Sequence, residues 1–498
     1  MFYQTSYATS GKSSAMGAII AVIHKKLEDA TETVLDSLKA LTIRKVEAYG
    51  IASSATIQIE KNLKPLQTRR LNAPIVIGYA FQKITEQDTP QPLNLTGSTA
   101  VFDGRTFPIQ QNSRDVDVFA KKLEGNKEER AKAFVAEVEG DYAFAIANSD
   151  RLIAARDPLG VRPLYYGENK TLFVLASEKK ALWNIGIKDA HSFPPGHTAL
   201  VNEQHVKFTM AKRLACSKPQ ETTMSTAAEK LQPLIERAVQ KRLDGLNEAA
   251  VAFSGGLDSS IIAFLSKKSQ ANVQLIHVSL KDQRETEQAR TVADELRLPI
   301  HVHIYTEDDV AKTLPLVLYI IEEADPVKAS IGIPIYWTAE QAAKIKLNVM
   351  LAGQGSDELF AGYKRYVDDY VKEGAEKSQE AICKDILTLH ENNFERDSKI
   401  CKFHGIEMRL PFAAYEIADF ALKLPVELKI QPSTDTLRKL VLRKVAHNLG
   451  LSKAIVERPK KAVQYATGVS SALRKLAKRK HLTLEEYTRN AFQNTLKR

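Results

Sequence analysis

The segment Ser254-Gly255-Gly256-Leu257-Asp258-Ser259-Ser260 lies between two apolar runs, Ala249-Ala250-Val251-Ala252-Phe253 and Ile261-Ile262-Ala263-Phe264-Leu265. That order reads as strand, tight turn, helix. Two glycines let the backbone turn without a Cβ clash and present successive N–H groups at a helix N-terminus, where the macrodipole favours an anion. Ser254, Ser259 and Ser260 add hydroxyl donors. Asp258 is the odd member, because a carboxylate beside phosphate repels it unless a divalent cation such as Mg²⁺ lies between them. The loop therefore predicts a nucleotide and a metal. A bare SGG also reads as a Gly-Ser turn capping a helix. The stretch lacks the Lys of GxxxxGK[ST], which disfavours transfer of a γ-phosphate.

A chain of 498 residues exceeds what one core usually supports, so two domains are expected. Residues 1–15 are Ser/Thr-rich without an apolar core and read as a disordered tail, and Met16 is an equally natural start. Over 16–210 short strands (Ala18–Val22, Ala55–Ile59, Asp141–Ala147, Thr171–Leu175) interleave with helical stretches (Asp29–Leu41, Asp115–Leu123), giving a layered α+β domain. After a linker near Ser217-Lys218-Pro219-Gln220, helix and strand alternate through 221–498: helix Ala227–Ala238, a strand at Val251, strand Gln274–Val278, helix Thr286–Leu296, strand Asn348–Leu351. This is the pattern of an α/β doubly wound parallel sheet, whose ligands sit at the carboxyl ends of the strands, and from Asp357 onward the chain reads as mostly helical.

Three cysteines, Cys216, Cys383 and Cys401, show no CxxC and no paired spacing. They predict a reducing, cytoplasmic setting and no structural zinc. No apolar stretch approaches the roughly 20 residues of a membrane helix. The formal charge of +10, concentrated in part at Lys475-Leu476-Ala477-Lys478-Arg479-Lys480, admits a nucleic-acid partner, but polyanionic small substrates or a solvated basic face explain it as well.

SGGxDS also resembles the pyrophosphate loop of enzymes that cleave ATP between the α and β phosphates. A second motif, Leu351-Ala352-Gly353-Gln354-Gly355-Ser356-Asp357-Glu358-Leu359-Phe360-Ala361-Gly362-Tyr363, follows a strand. After it come Gly405-Ile406-Glu407-Met408-Arg409-Leu410-Pro411-Phe412, Leu437-Arg438 and Arg458-Pro459-Lys460. Together these resemble the synthetase domain of the asparagine synthetase family. The first domain resembles a class II glutamine amidotransferase through Gln91-Pro92-Leu93, Asp103-Gly104, Gly140-Asp141, the run Arg156–Tyr166, the run Ala176–Leu182 and Pro195-Gly196-His197. The resemblance implies an Ntn-type αββα sandwich followed by a PP-loop ATP-pyrophosphatase domain with a helical C-terminal part.

By that resemblance Ser254, Gly255, Gly256, Asp258, Ser259 and Ser260 hold the pyrophosphate, and Asp258 and Asp357 hold Mg²⁺. Val278, Ser279, Glu285 and Gly353 line the rest of the ATP site. Lys460 reaches the phosphates, with Lys461 its rival. Glu407 and Arg409 either position substrate or pair with each other, and Glu358 reads as a helix N-cap. Gln354 stands where many family members carry Glu. An amide cannot accept the proton of incoming ammonia, so either another group relays it or Gln354 only orients the nucleophile.

The glutaminase nucleophile is missing. Family members with that activity begin Met-Cys-Gly-Ile, and here the chain reads Ala15-Met16-Gly17-Ala18-Ile19. Ser13 and Ser14 are out of register, Arg44 alone remains of a His-Arg-Gly-Pro-Asp segment, and Asp103 puts an anion where Asn would donate to an oxyanion. An Asp157–Arg162 ion pair is the expected role of the retained turn. The resemblance implies an ATP-dependent amide ligase that adenylates an acid such as aspartate and transfers ammonia. The ammonia is free or comes from a separate protein, and the first domain serves as a brace that can still bind a small ligand. A homodimer is compatible with the sequence, and a membrane partner is not expected. Two alternatives stay open: a β-lactam-forming or other acceptor chemistry, and a non-catalytic ATP-binding regulator.

Overall fold

The structure, a computed structural model, describes residues 16–43, 45–85, 88–107, 114–431 and 437–496. The tail 1–15, with Ser13 and Ser14, and Arg44 lie outside the described residues. Two antiparallel sheets make up the first half. One has seven strands in the spatial order 191–192, 165–168, 172–176, 16–24, 75–82, 48–52, 57–60, and the other has six in the order 206–210, 197–201, 152–156, 140–147, 98–106, 93–95. We label Met16–His24 β1 and Ser98–Thr106 β2.

Alternation along β1 explains the layering. Ile19, Ala21 and Ile23 belong to the core between the sheets, while Ile20 and Val22 pack with Val34, Leu35 and Leu38 of the helix Thr31–Lys39. A one-residue slip would exchange these two faces. Helices Asp115–Lys122 and Lys127–Glu137 cover the second sheet, placing Phe119 and Phe134 against Phe102, Tyr142 and Phe144. The result is helix, sheet, sheet, helix. The strand expected at Ala55–Ile59 runs instead over Ile57–Glu60, because Ser53 and Thr56 close a turn through a backbone and a side-chain hydrogen bond.

The second half is built on five parallel strands: β3 (Glu248–Ala252), β4 (Asn272–Leu280), β5 (Ile300–Tyr305), β6 (Val349–Leu351) and β7 (Glu407–Arg409), in the order β5-β4-β3-β6-β7. The flanking helices used below are α1 (Met224–Leu243), α2 (Leu257–Ser266), α3 (Arg284–Leu296), α4 (Pro326–Lys344), α5 (Ser356–Leu359), α6 (Ala375–Leu387), α7 (Glu395–Phe403) and α8 (Leu440–Asn448). Strand order reverses beside β3, and the loop that leaves β3 is the Ser254–Ser260 segment. In open α/β sheets a ligand crevice forms at such a reversal, outside the carboxyl ends of the strands.

Buried ion pairs join the halves. Arg156 meets Glu395 at 3.1 Å, Lys402 meets Asp103 at 2.7 Å, and Lys180 meets Glu322 at 3.1 Å. The Arg156–Tyr166 turn is held differently from expectation. Asp157 accepts backbone N–H groups of Leu159, Val161 and Arg162 at 3.0–3.1 Å. The Arg162 guanidinium instead donates to the Asp141 carbonyl.

The cysteine expectation needs correction. Cys216, in the coil between the halves, is disulfide-bonded to Cys383 on α6, with Cα atoms 5.9 Å apart and 167 residues between them in sequence. Linear spacing carries no trace of a partner that distant, and the pairing removes the cysteine argument for a reducing compartment. Among the described residues no helix is long and apolar enough to cross a membrane. The basic C-terminal stretch is partly neutralised, since Lys475 and Arg479 both pair with Glu307 at 2.8–2.9 Å.

Candidate active site

A cavity of about 210 Å³ opens at the carboxyl ends of β3, β4 and β6. Its wall carries Ser254, Asp258, Ser259, Val278, Glu285, Gly353, Gln354, Asp357 and Lys460, which lie up to 206 residues apart in sequence. The phosphate loop is stiffened from within. Gly255 has φ +65, and a Cβ there would press on Ala289 Cα and Arg458 Nη1. Ser259 Oγ accepts the Ser254 N–H at 3.3 Å and donates to the Gly256 carbonyl at 3.2 Å, and Gly256 caps α2. The peptide groups at the turn are thus fixed before any ligand arrives.

Two assigned hydroxyls face elsewhere. Ser260 is fully buried in α2 away from the cavity wall, and Ser279 is fully buried and shares a 2.7 Å hydrogen bond with Thr286. Both are the inward members of their elements, which the motif spelling does not show. Glu285, in the first turn of α3, pairs with Lys461 at 2.6 Å. Burial works against its charge, but Lys461 outweighs that and lowers its pKa.

The charge centre is a four-membered cluster. Lys439 Nζ lies 2.7 Å from Asp258 Oδ2, 2.7 Å from Asp357 Oδ1 and 3.1 Å from Ser356 Oγ, and Lys460 Nζ lies 2.6 Å from Asp357 Oδ2. Ser356 also donates to Asp258 Oδ1 at 2.9 Å. Burial works to raise the pKa of Asp357, yet the two ammonium groups prevail and hold it well below the ordinary carboxylate range. Lys439 is shifted upward, its desolvation outweighed by Asp258 and Asp357. A Cβ at Gly362 would run into Asp357 Oδ1 and Lys439 Cε, so the glycine leaves room for this contact.

Lys439 was not singled out in the sequence. It directly follows the matched pair Leu437-Arg438, and nothing local distinguishes it from other lysines. Its position is set by αL backbone (φ +61) at the start of α8. The donor set fits Mg²⁺. Two carboxylates contact a single nitrogen and so lie close enough for one cation. No group of three or more His, Cys, Asp or Glu side chains that could hold a metal occurs among the described residues. Mg²⁺ held here would complete its shell from phosphate oxygens and water, as that ion commonly does.

Glu358 is not a helix cap. Gly355 caps α5, and Glu358 instead accepts from Tyr363 Oη at 2.6 Å and Asn393 Nδ2 at 2.7 Å on the cavity wall. Gln354 donates through Nε2 to Asp397 Oδ2 at 2.7 Å, and Asp397 is gripped by Arg396 at 2.6 Å. A second hollow of about 460 Å³ adjoins the first and shares Glu358, Tyr363, Asn393 and Arg396 with it.

The structure separates Glu407 and Arg409 from this cavity. Strand alternation on β7 sends Met408 to the cavity wall and its two neighbours to the opposite face. There Glu407 and Arg409 pair at 2.6 Å, and Glu407 is clamped by Arg105 of β2 at 2.7–2.8 Å. Burial works to raise Glu407, but the two guanidinium groups bring it down to about 2. This is an interdomain joint.

The place beside Gly17 where the resemblance expects a nucleophile is also occupied. Lys402 of α7 donates to the Gly17 carbonyl at 2.5 Å and to Asp103 Oδ2 at 2.7 Å, while Asp103 Oδ1 accepts the Gly17 N–H at 3.2 Å. Desolvation lowers the pKa of Lys402 against the pull of Asp103. The Asp103 side chain is fully buried beneath this contact.

The asparagine synthase family pattern matches residues 230–375 and 368–496, more than half of the chain, and a glutamine amidotransferase domain pattern matches 104–184. The chain belongs to the asparagine synthetase family. It is therefore a carbon–nitrogen ligase that uses ATP. A protein of Methanocaldococcus jannaschii, described as a putative asparagine synthetase [glutamine-hydrolyzing] 1, is 31% identical over 73% of this chain and 75% of its own length. A Dictyostelium discoideum protein described as a probable asparagine synthetase is 29% identical over 64% of this synthetase and 60% of its own length. Among solved structures, an allosteric regulatory enzyme of purine biosynthesis aligns with a TM-score of 0.34 at 14% identity, over 58% of this chain and 80% of the other.

Proposed function

We propose that this synthetase adenylates the side-chain carboxylate of aspartate and passes the acyl group to ammonia, giving asparagine, AMP and pyrophosphate. The division of labour falls between a non-hydrolysing domain over 16–210 and the ligase domain over 221–498. The observation that carries the reading is the Asp258–Lys439–Asp357–Lys460 cluster, whose Asp258, Asp357 and Lys460 line one cavity with Ser254 and Ser259 of the preshaped turn. The turn and Lys460 grip the phosphates; Asp258 and Asp357 would hold Mg²⁺, which would supply positive charge beside the pyrophosphate. A carboxylate oxygen of the acid attacks the α-phosphorus while the bond to the bridging oxygen breaks. Ammonia then attacks the acyl carbon and AMP leaves. The hollow beside Glu358 and Arg396 offers the acid both a cationic and an anionic partner.

Lys402 on Asp103 and Gly17 supports loss of glutamine hydrolysis, since it fills the place where a nucleophile and an oxyanion donor would act. Ammonia then arrives free or from another protein. Gln354, bonded to Asp397 and unable to accept a proton, favours one second reading, an adenylating ligase with a different amine acceptor. Radiolabelled pyrophosphate exchange into ATP with single acids separates the two. Exchange that requires aspartate and Mg²⁺ and is lost in Asp258→Ala supports the first, and exchange only with N-acylated diacids overturns it.

A further inference from the structure

Both carboxylates that would take Mg²⁺ already hold a cation belonging to the chain. The Lys439 ammonium touches Asp258 and Asp357 at 2.7 Å each, and Lys460 takes the other oxygen of Asp357. Two carboxylates and two ammonium groups balance, so a free divalent ion gains little attraction from the cluster and meets a like charge at contact distance.

Lys439 has little freedom to withdraw. Its side chain is 2% exposed, and its Cε rests against the space left by Gly362. Its carbonyl accepts the Arg443 N–H at 2.9 Å, and the next residue is held too, the Leu440 N–H donating to the Lys429 carbonyl at 2.9 Å. A short swing of the ammonium is open into a small hollow of about 60 Å³ that Lys439 lines together with Ser254, Gly256, Asp258 and Lys460. The anion that can draw it there must enter by the Ser254–Ser260 turn, and a polyphosphate is the ligand class that turn suits. The carboxylates themselves stay reachable, at 20% side-chain exposure each.

We propose that Lys439 keeps the Asp258–Asp357 pair closed to free divalent cations, and that metal enters only together with nucleotide phosphates, which take the ammonium onto themselves. The proposal rests on the ligase reading insofar as a nucleotide binds this turn. By linkage the metal and the nucleotide then strengthen each other by one common factor.

The test uses the full chain with Mn²⁺ as an EPR probe and α,β-methylene-ATP as a nucleotide that cannot be cleaved, against a protein-free control for Mn·nucleotide. Wild type is expected to bind Mn²⁺ at least about 30-fold more weakly alone than with the analogue. In Lys439→Gln, Mn²⁺ should bind without nucleotide, and adding Asp357→Asn to that variant should abolish it. Equal affinity for Mn²⁺ with and without the analogue in wild type overturns the proposal, and these titrations decide even if the variant fails to fold. Analogue that binds without any coupling to Mn²⁺ sinks this inference alone. Analogue that does not bind at all sinks the ligase reading and takes this inference with it.

Discussion

Each half of the molecule contains a buried lysine seated on carboxylate, and the two arrangements differ in what they leave reachable. In the amidotransferase-like half, Lys402 covers an Asp103 side chain that is 0% exposed, and the contact is also tied to the Gly17 backbone. In the ligase half, Lys439 is more deeply buried still, at 2% against 6% for Lys402, but Asp258 and Asp357 keep 20% exposure toward a cavity. The same pair of functional groups thus serves as a seal in one place and as an exchangeable counterion in the other. Access for a competing anion or cation, more than the identity of the residues, separates a structural ion pair from a working one.

The largest effect expected from this contrast is on chemistry. Asp258→Asn should lower pyrophosphate exchange by about 10²–10³-fold while leaving the circular dichroism spectrum and thermal midpoint close to wild type. A wild-type rate would make the ligase cluster as inert as the other one.

Next comes stability. Lys402→Met strands Asp103 in the interior and should cost about 3–5 kcal/mol in urea denaturation. Lys402→Met combined with Asp103→Asn should recover much of that loss. A Lys402→Met protein as stable as wild type would show that the seal contributes nothing.

Reduction of Cys216–Cys383, or Cys216→Ser, should destabilise the chain by about 2–4 kcal/mol, read as a lowered urea midpoint. The bond ties the coil between the halves to α6, which packs against α5 and its Asp357. Pyrophosphate exchange by the reduced, folded enzyme measures how far that tether matters to the site.

The smallest effect is a pH slope. Burial raises Asp141 to about 7, with Arg242 opposing. Its folded form therefore binds a proton that the unfolded chain has released between about pH 4 and 7, so stability should fall as pH rises through that window. Asp357, shifted the other way, contributes stability above the ordinary carboxylate pKa that is lost on acidification below it. Asp141→Asn should flatten the first slope and leave the second, as urea midpoints between pH 3 and 8 will show.

Much of the site was legible because its parts are local. The turn at Ser254–Ser260 and the short helix bearing Asp357 depend on glycines and capping within a few residues, so their spelling announces their shape. The short apolar runs of the first half and the helix–strand rhythm after Met224 did the same for the two architectures. Glu407 and Arg409 show where such reading stops. Their spacing places them on one face of a strand, but only the neighbouring Arg105 decides that this face is the joint and that Met408 meets the cavity.

The sequence by itself determined which backbone turns form, where strands and helices follow one another, and that a nucleophilic cysteine is missing from its place beside Gly17. Tertiary structure alone decided that Lys439 reaches Asp258 across 181 residues, that Lys402 reaches Asp103 across 299, and that Cys216 finds Cys383. The reason is physical. Local geometry is fixed by dihedral preference and hydrogen bonding within a turn, whereas the partner of a buried charge is chosen by which groups are desolvated together once the elements pack, and linear order carries little record of that.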